Sequence, residues 1–285
     1  MAAGFRNIRS FVDAQETGAY DISVFRKLPS QATVAGDWVD LSMSSGTPVP
    51  NYYASSPLIA ETLESHKGIF PGSPCAPSKR VLKKIVMSAG PSGNIFPSTW
   101  FLLDYLLYYP FVDMDAAGET QALDNTKTLS RYSDGFGVKA MIVAVSPSVG
   151  GGQFTVTYTN SDGVQKTTPI LTGRTVNSGT IVSGLSNIAS VTPFMPLADG
   201  DKGIRSIDAV DVISANGGLI SIVLVKPIRT FTVRDITATR EVESLREAPE
   251  SPVIEDNAYL NLVGQCITGT WAGAVISGYL EFIWS

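Results

Sequence analysis

The sequence of 285 residues carries a net charge of −5, and its pI is about 5.0. A nucleic-acid-binding protein usually needs a basic face that displaces counterions from phosphate, so the acidic balance argues against that class. Charged residues make up only 16% of the chain, and the uncharged surface that this implies favours association with partners. The densest basic stretch, Lys79, Arg80, Lys83 and Lys84, is more typical of a solvated strand or loop edge.

The first 80 residues differ from the rest because prolines interrupt them. Proline fixes its own φ and drives the preceding residue toward an extended conformation. A short helix is predicted over Leu58–His66, with Pro57 as its entry and Gly68 as its stop. Residues 1–80 are otherwise expected to form an extended arm, ordered against its own β domain or against a neighbouring subunit. The candidate anchors of this arm are aromatic, namely Phe5, Phe11, Tyr20, Phe25 and Trp38.

Residues 81–130 are predicted to form a small α/β section. It opens with a strand over Arg80–Met87. Ser98 is a good helix N-cap, and Pro110 closes the leucine-rich run from Thr99 to Tyr109 that follows it. Nearly every position of that run is apolar, which predicts a buried helix that is covered on most sides.

Residues 131–285 show the pattern of a β-sandwich domain. Phe154–Thr159 alternates apolar and polar side chains, the turn Asn160–Gly163 follows, and Val164–Ile170 runs back as a hairpin. The acidic, proline-broken segment Glu241–Asp256 is predicted to be an exposed loop. The other predicted elements are a strand over Val138–Val145, a second hairpin from Ile207–Ile213 and Leu219–Val225, and strands over Phe231–Val233 and Ala274–Trp284.

The pattern of the whole chain therefore predicts a mainly β fold. Many short strands at close spacing, separated by Gly and Asn turns, favour a sandwich or jelly roll. We expect one such domain with an extended N-terminal arm and a small helical element.

The sequence contains no recognisable catalytic constellation. His66 is the only histidine, and no nucleophile motif such as Gly-x-Ser-x-Gly accompanies it. The glycines Gly150–Gly152 lack the Lys-Ser or Lys-Thr that a phosphate-binding loop needs. We therefore expect no enzymatic activity and no cofactor.

Two acidic pairs offer oxygen atoms of the kind that calcium prefers. They are Asp113 with Asp115 and Asp199 with Asp201. Acidic residues in turns more often accept hydrogen bonds from backbone amides. We expect that role here, and no metal site.

The cysteines and the apolar segments indicate the compartment. Cys75 and Cys266 lie far apart in sequence, which favours two reduced thiols, while a long-range disulfide stays open as an alternative. The first residues lack the apolar region of a secretory signal. The most apolar run, Trp100–Val112, contains Asp104 and Pro110 and is shorter than the roughly 20 residues of a membrane span. We expect a soluble protein made in a host cytoplasm, with no membrane partner.

Three stretches, together with the proline-rich arm, resemble a family of virion structural proteins of tailed bacteriophages. They are Trp100–Asp113, Leu123–Gly137 (LDNTKTLSRYSDGFG) and Phe154–Thr168 (FTVTYTNSDGVQKTT). The resemblance implies an assembly role without catalytic residues. It indicates a capsid decoration, or cement, protein that is located in the virion. Its partners would be the major capsid protein and further copies of itself, as a homo-oligomer such as a trimer.

Two alternatives to this function stay open. Within the same class, the chain would be a tail or connector component. From another class, it would be a carbohydrate-binding β-sandwich module, in which aromatic side chains stack on sugar rings. The candidates for that role are Tyr108, Tyr109, Tyr132, Trp271 and Trp284. Large aromatic residues more often serve core packing or subunit contact.

Overall fold

A computed structural model describes residues 5, 7–30, 32–90, 98–181, 192–234, 239–243, 252–266 and 270–285. Within these ranges the chain forms one α-helix, α1 (Ile8–Glu16), and two short 3₁₀ helices, Leu41–Met43 and Ser65–Lys67. The strands are β1 (Tyr20–Leu28), β2 (Trp38–Asp40), β3 (Ser45–Thr47), β4 (Glu61–Thr62), β5 (Arg80–Ala89), β6 (Ser98–Asp113), β7 (Thr120–Ala122), β8 (Lys139–Ala144), β9 (Ser148–Val149), β10 (Gln153–Asn160), β11 (Gln165–Thr167), β12 (Leu171–Thr172), β13 (Thr175–Val176), β14 (Thr180–Ile181), β15 (Ile204–Ser214), β16 (Leu219–Val233), β17 (Arg240–Glu243), β18 (Leu260–Gln265) and β19 (Ile276–Trp284). The prediction of a mainly β fold is confirmed.

Six strands close into a barrel-like sheet at the centre of the fold. Their order is β16, β8, β14, β2, β18 and β6, and β6 pairs in turn with β16. The barrel interior is filled by apolar side chains to which every one of the six strands contributes, among them Trp38, Leu103, Met141 and Val263. A closed sheet leaves no unpaired edge, so this part of the chain is held by continuous antiparallel ladders.

Two further sheets pack on the outside of the barrel and give the fold its sandwich-like layers. One has five strands in the order β17, β5, β19, β1 and β3, and it covers the barrel at Trp100 and Leu262. The other has the order β11, β10, β15 and β7, with β12 also paired to β10. Its inner face packs against Leu106 and Ile142 on the opposite side of the barrel. The short strands β9 and β13 pair with each other.

The predicted helix over Thr99–Tyr109 is wrong, because these residues belong to the 16-residue strand β6. The run is apolar at almost every position because both faces of the strand are buried. Leu103 and Tyr105 lie in the barrel interior, whereas Leu102 and Leu106 contact the flanking sheets. A strand covered on both faces lacks the period-two pattern that would identify it.

The first predicted hairpin is confirmed, and the second is wrong in its pairing. β10 and β11 pair antiparallel across the predicted turn. β15 and β16 begin and end near the predicted positions, but β15 pairs with β10 and β7, whereas β16 pairs with β6 and β8. The turn after Ser214 therefore carries the chain from a flanking sheet to the barrel. The apolar faces of the two strands meet within one core cluster instead of sharing a ladder.

Two local predictions also need correction. Leu58–His66 forms no α-helix: Leu58 has a φ of 61°, and β4 pairs with β6. The segment Glu241–Asp256 is not wholly an exposed loop, since Glu241–Glu243 belong to β17 and Ile254 is buried, while residues 244–251 lie outside the described residues. The predicted strands over Arg80–Met87, Val138–Val145, Phe231–Val233 and Ala274–Trp284 are confirmed.

The N-terminal section is ordered against its own chain. α1 begins after the N-cap Asn7, whose side chain accepts a hydrogen bond from the Ser10 amide at 2.9 Å. Its buried face, Phe11 and Ala14, packs on the outer side of the five-stranded sheet. β1 then pairs with β19 over eight residues, and β2 is a strand of the barrel. The arm was expected to pack either on its own β domain or on a neighbouring subunit, and its described residues pack on the β domain.

The contact between two indole rings in the core gives a test of packing. The ring centroids of Trp100 and Trp271 are 4.7 Å apart, and a Cβ at Gly264 would lie 2.7 Å from both rings. We expect Gly264→Ala to lower the free energy of unfolding by about 1–3 kcal/mol, as measured by urea denaturation, because the rings have to shift. Gly90→Ala is the matched control, since its nearest neighbour would be 3.2 Å away, and its loss should be smaller. Equal losses would contradict the tight packing.

Candidate functional site

The barrel interior contains a cluster of polar groups around one carboxylate. Asp40 ends β2 and is fully buried. Its Oδ1 accepts hydrogen bonds from the Tyr105 hydroxyl and from the Ser42 amide, both at 2.8 Å. Its Oδ2 accepts from the Ser42 hydroxyl at 2.6 Å and from the Tyr53 hydroxyl. Four donors thus take the place of water around a buried charge, which would otherwise be very costly.

The two phenols of this cluster act as hydrogen-bond donors. Burial raises the pKa of Tyr53 and of Tyr105 well above the ordinary value, and the nearby charge of Asp40 raises both further. Each phenol therefore keeps its proton at physiological pH. A phenol that holds its proton and points it at a carboxylate stabilises that charge, and it is a poor base or nucleophile.

A buried lysine lies in the electrostatic field of the same carboxylate. Lys27 on β1 is 1% exposed, and its Nζ donates to the carbonyl oxygens of Ser44 at 3.1 Å and Pro48 at 2.7 Å. Burial lowers the pKa of Lys27 to about 8, and Asp40 opposes this shift. Its hydrogen bonds fasten the segment after β2 to the five-stranded sheet. The ammonium group therefore links the barrel to a neighbouring layer.

A second buried charge joins three segments of the chain. Asp104 on β6 is fully buried. The Arg131 guanidinium donates two hydrogen bonds to its carboxylate, from Nε to Oδ2 at 3.0 Å and from Nη2 to Oδ1 at 2.8 Å. The Tyr259 amide donates to the same carboxylate at 3.0 Å, and Arg131 also donates to the Leu63 carbonyl. Burial raises the pKa of Asp104 to about 6, against the opposing effect of the guanidinium. The paired donors fit a structural link between loops and barrel.

The structure places four of the five predicted arm anchors inside the chain itself. Phe5 packs on Phe11 of α1 with tilted rings whose centroids are 5.1 Å apart. Phe25 packs between the five-stranded sheet and the barrel, and Trp38 lies in the barrel interior. These four side chains are therefore not exposed to a neighbouring subunit. Tyr20 differs, because 43% of its surface is exposed.

The acidic and histidine candidates occupy ordinary surface positions. His66 is exposed and lies 3.8 Å from the Glu64 carboxylate. Asp113 accepts a hydrogen bond from the Asp115 amide at 2.9 Å, which is the predicted turn role. Asp201 instead accepts from two side chains, the Tyr158 hydroxyl and the Asn160 amide. Among the described residues, no group of three or more His, Cys, Asp or Glu side chains could hold a metal ion.

The aromatic candidates for sugar stacking are mostly inside the protein. Tyr108, Tyr109 and Trp271 are buried, so they cannot stack on a sugar in this conformation. The Lys226 ammonium lies 5.1 Å from the ring centroid of Tyr132, and the Arg80 guanidinium lies 5.6 Å from that of Trp284. A cation already approaches each of the two remaining rings.

The predicted solvated edge is wrong for Arg80 and Lys83, whereas Lys79 is exposed. Arg80 and Lys83 are buried, with ion-pair partners Asp256 at 3.2 Å and Glu281 at 2.5 Å, and Lys84 pairs with Glu241. These cations serve the chain's own structure. The two cysteines are not joined in a disulfide.

In the part of the chain that the structure describes, no helix has the length and apolar character needed to cross a membrane. The chain matches no protein-family model, no curated protein and no solved structure at a significant level.

Removing one member of the buried ion pair tests its structural role. Asp104→Asn leaves the Arg131 guanidinium buried without its counter-charge, and we expect the free energy of unfolding to fall by about 3–5 kcal/mol in urea denaturation at pH 7. Glu61→Gln is the matched control, because Glu61 pairs with Lys127 at 2.6 Å on the surface, and its loss should not exceed about 1 kcal/mol. A similar small loss for both variants would contradict the role given to Asp104.

The pKa of Lys27 predicts a pH dependence of stability. The group titrates near 8 in the folded chain and near its ordinary value of 10.5 when unfolded. Between these pH values the unfolded chain binds the proton and the folded chain does not, so protonation favours unfolding. The free energy of unfolding is therefore highest above about pH 10.5, and this advantage is lost as the pH falls through 8. From pH 7.5 to 10.5 the free energy of unfolding of the wild type should rise by about 3 kcal/mol relative to that of Lys27→Met.

The control for this experiment is Leu28→Met, which changes the adjacent side chain without removing a titratable group. Its difference from the wild type in urea denaturation should stay constant over the same pH range. If the difference between Lys27→Met and the wild type were also independent of pH, burial would not lower the pKa of Lys27.

Proposed function

We propose that this chain is a structural protein of a tailed-phage virion, with capsid decoration, or cement, as its specific role. It would bind the major capsid protein on the outer surface of the shell. The observation that carries the proposal is the amount of large apolar surface that the chain leaves exposed. Among the described residues, Ile8, Val24, Val34, Val49 and Val149 are each at least 60% exposed. Covering apolar side chains of this kind removes them from water, so their exposure supports a role in contact with partners.

The buried polar groups support the same proposal. Four buried charged side chains form hydrogen bonds with strands and loops of the same chain, namely Asp40, Asp104, Lys27 and Arg131. Such links hold a fold in one conformation. A cement protein needs this rigidity, because ordering a flexible segment on binding makes the binding free energy less favourable. The cost is roughly 1–2 kcal/mol for each backbone residue that becomes ordered.

One of the three stretches that resemble phage virion proteins forms a hairpin with an exposed strand, whereas Trp100–Asp113 lies in the buried strand β6. Phe154–Thr168 spans the β10–β11 hairpin, and β11 is an edge strand of the four-stranded sheet with all three residues exposed. Val164 at its turn and Ile170 just beyond it are about half exposed. A surface hairpin with apolar side chains at both ends suits contact with a shell subunit.

Imaging of particles tests the proposal. Cryo-electron microscopy of particles assembled with the chain should show regular density on the outside of the shell, into which the barrel and its two flanking sheets fit. Particles assembled without it should lack that density and release their genome at a lower temperature. Density on the tail or at the connector would favour the alternative assembly role. Absence of the chain from purified particles would overturn the proposal.

A deletion of the N-terminal section is not a suitable variant for this test. It would remove β1 and β2, which belong to two of the sheets. Substitutions at exposed positions such as Val164→Lys keep both strands. We expect this variant to fold normally and to occupy fewer sites on the shell than the wild type.

A further inference from the structure

A β-bulge interrupts the ladder between β5 and β19 at a lysine. Glu281 pairs with Lys84, and the next residue on β19, Phe282, pairs with Leu82. The ladder therefore passes over Lys83, which has no residue of β19 directly opposite. A bulge redirects the side chain of the extra residue, and bulges are over-represented next to active sites. The placement of Lys83 thus differs from that of an ordinary strand residue.

The amine of Lys83 contacts two further functional groups on the side of the sheet where α1 packs. Its Nζ donates to Oε1 of the Gln15 carboxamide at 3.2 Å and to Oε1 of the Glu281 carboxylate at 2.5 Å. Gln15 and Glu281 lie 68 and 198 positions away from Lys83 in sequence. An amine, a carboxamide and a carboxylate from α1, β5 and β19 thus meet at one nitrogen, and we call these three side chains the amine cluster.

Apolar packing fixes the helix over this cluster. The side chains that join α1 to the sheet come from all three elements, namely Phe11, Ala14, Val81 and Ile283. Ala14 directly precedes Gln15, and Val81 and Ile283 each lie two residues from their neighbours in the amine cluster. The three functional groups are therefore held together by packed neighbours, which raises their effective concentration far above that of free groups in water.

The amine and the carboxylate are largely shielded from water, whereas the carboxamide is accessible. The side chains of Lys83 and Glu281 are only 10% and 13% exposed, and Gln15 is an exposed residue. Two buried charges lose much of their hydration, so a buried ion pair is a weak source of stability. A reaction that replaced both charges by neutral groups would remove this cost, and a small leaving group would have an open way out at Gln15.

We propose that the side chains of Gln15 and Lys83 join in an isopeptide bond within the chain, with Glu281 as the catalytic residue that transfers the protons. A proton passes from the ammonium to the Glu281 carboxylate, and the free amine attacks Cδ of Gln15. Glu281 gives that proton to Nε2 of Gln15 and takes one from the attacking nitrogen. The bond from Cδ to Nζ forms, the bond from Cδ to Nε2 breaks, and ammonia leaves. Glu281 ends protonated and neutral, and no oxidant or further reactant is needed.

The geometry of the amine cluster is close to that of an attack on a carbonyl carbon. Cδ of Gln15 lies about 1.2 Å from its own Oε1, which already accepts from Nζ of Lys83. A small rotation of the carboxamide brings Cδ to the roughly 3–3.5 Å from which a nucleophile attacks. Each chain reacts only once, so a slow step is sufficient, and the release of ammonia into solution prevents the reverse reaction. The product fastens α1 to β5 by a covalent bond.

Mass spectrometry of the purified full chain tests the bond. The mass of the intact chain, after allowance for the N-terminal methionine, should be lower than that of its sequence by one ammonia molecule. After unfolding and digestion with trypsin, the peptide Ser10–Arg26 should be recovered joined to Val81–Lys84, because trypsin does not cleave after an acylated lysine. Free Ser10–Arg26 together with complete cleavage after Lys83, in chains kept folded for a prolonged incubation, would overturn the proposal.

Variants test the role of each group in the amine cluster. Lys83→Arg keeps the positive charge beside Glu281 but should show the full mass, as should Gln15→Ala. Glu281→Gln should form the bond roughly 10²–10⁴-fold more slowly, because proton transfer is lost. The matched control is Glu241→Gln, which removes the carboxylate paired with the adjacent Lys84 and should react like the wild type. Each variant should keep the circular dichroism spectrum of the wild type.

Two results would contradict these roles. Formation of the bond at the wild-type rate in Glu281→Gln would refute the role of the carboxylate, and an equal loss in Glu241→Gln would show that the variants act through folding. The mass of the wild type decides the bond itself even if a variant does not fold. The bond does not rest on the proposed virion role, since it is measured on the isolated chain without particles.

Discussion

The pairing of β6 with β16 is the constraint on which the rest of the structure depends. These long strands run antiparallel from Leu219 opposite Asp113 to Val233 opposite Ser98, and this ladder closes the barrel. Their side chains enter all three large apolar clusters, those of the barrel interior and of the two flanking layers. Three register shifts interrupt the ladder. Such bulges increase strand twist, which helps a sheet to close on itself.

Buried polar groups secure the segments that this ladder does not reach. Asp40 holds the loop residue Tyr53 against β6 through Tyr105. Arg131 joins a long loop to β6, and the Asp104 carboxylate that it binds also accepts from the Tyr259 amide just before β18. A buried ion pair adds little net stability compared with apolar packing, but a wrong arrangement would leave a charge unpaired. These groups therefore select one arrangement of loops around the barrel.

The sequence was most informative where one face of a strand is wet. The alternation in Phe154–Thr159 and the Asn-Ser-Asp-Gly turn identified the β10–β11 hairpin, and the mainly β class followed from many such signals. Periodicity failed for β6, because burial on both faces removes it. The pairing of β15 and β16 with different sheets could not be read from their turn, because a tight turn fits either connection.

Sequence spacing also gave no sign that Asp104 meets Arg131 or that Lys27 approaches Asp40. Each acid does stand in an apolar context, Leu-Leu-Asp-Tyr and Trp-Val-Asp-Leu, which is a signal for a buried carboxylate that could have been used. The helix α1 also had a usable signal in its Asn7 cap and the spacing of Phe11 and Ala14.

The ladder between β1 and β19 joins residues that are 249 to 263 positions apart, from the pair Lys27 and Ile276 to the pair Tyr20 and Ile283. Contacts of such long sequence separation slow folding, since a large loop must close before they stabilise anything. During synthesis, β1 emerges from the ribosome long before its partner strand exists. During that interval β1, with its apolar side chains Tyr20, Ile22 and Val24, lacks its native partner strand. Crowding of nascent chains on one messenger would then favour mispairing at this strand.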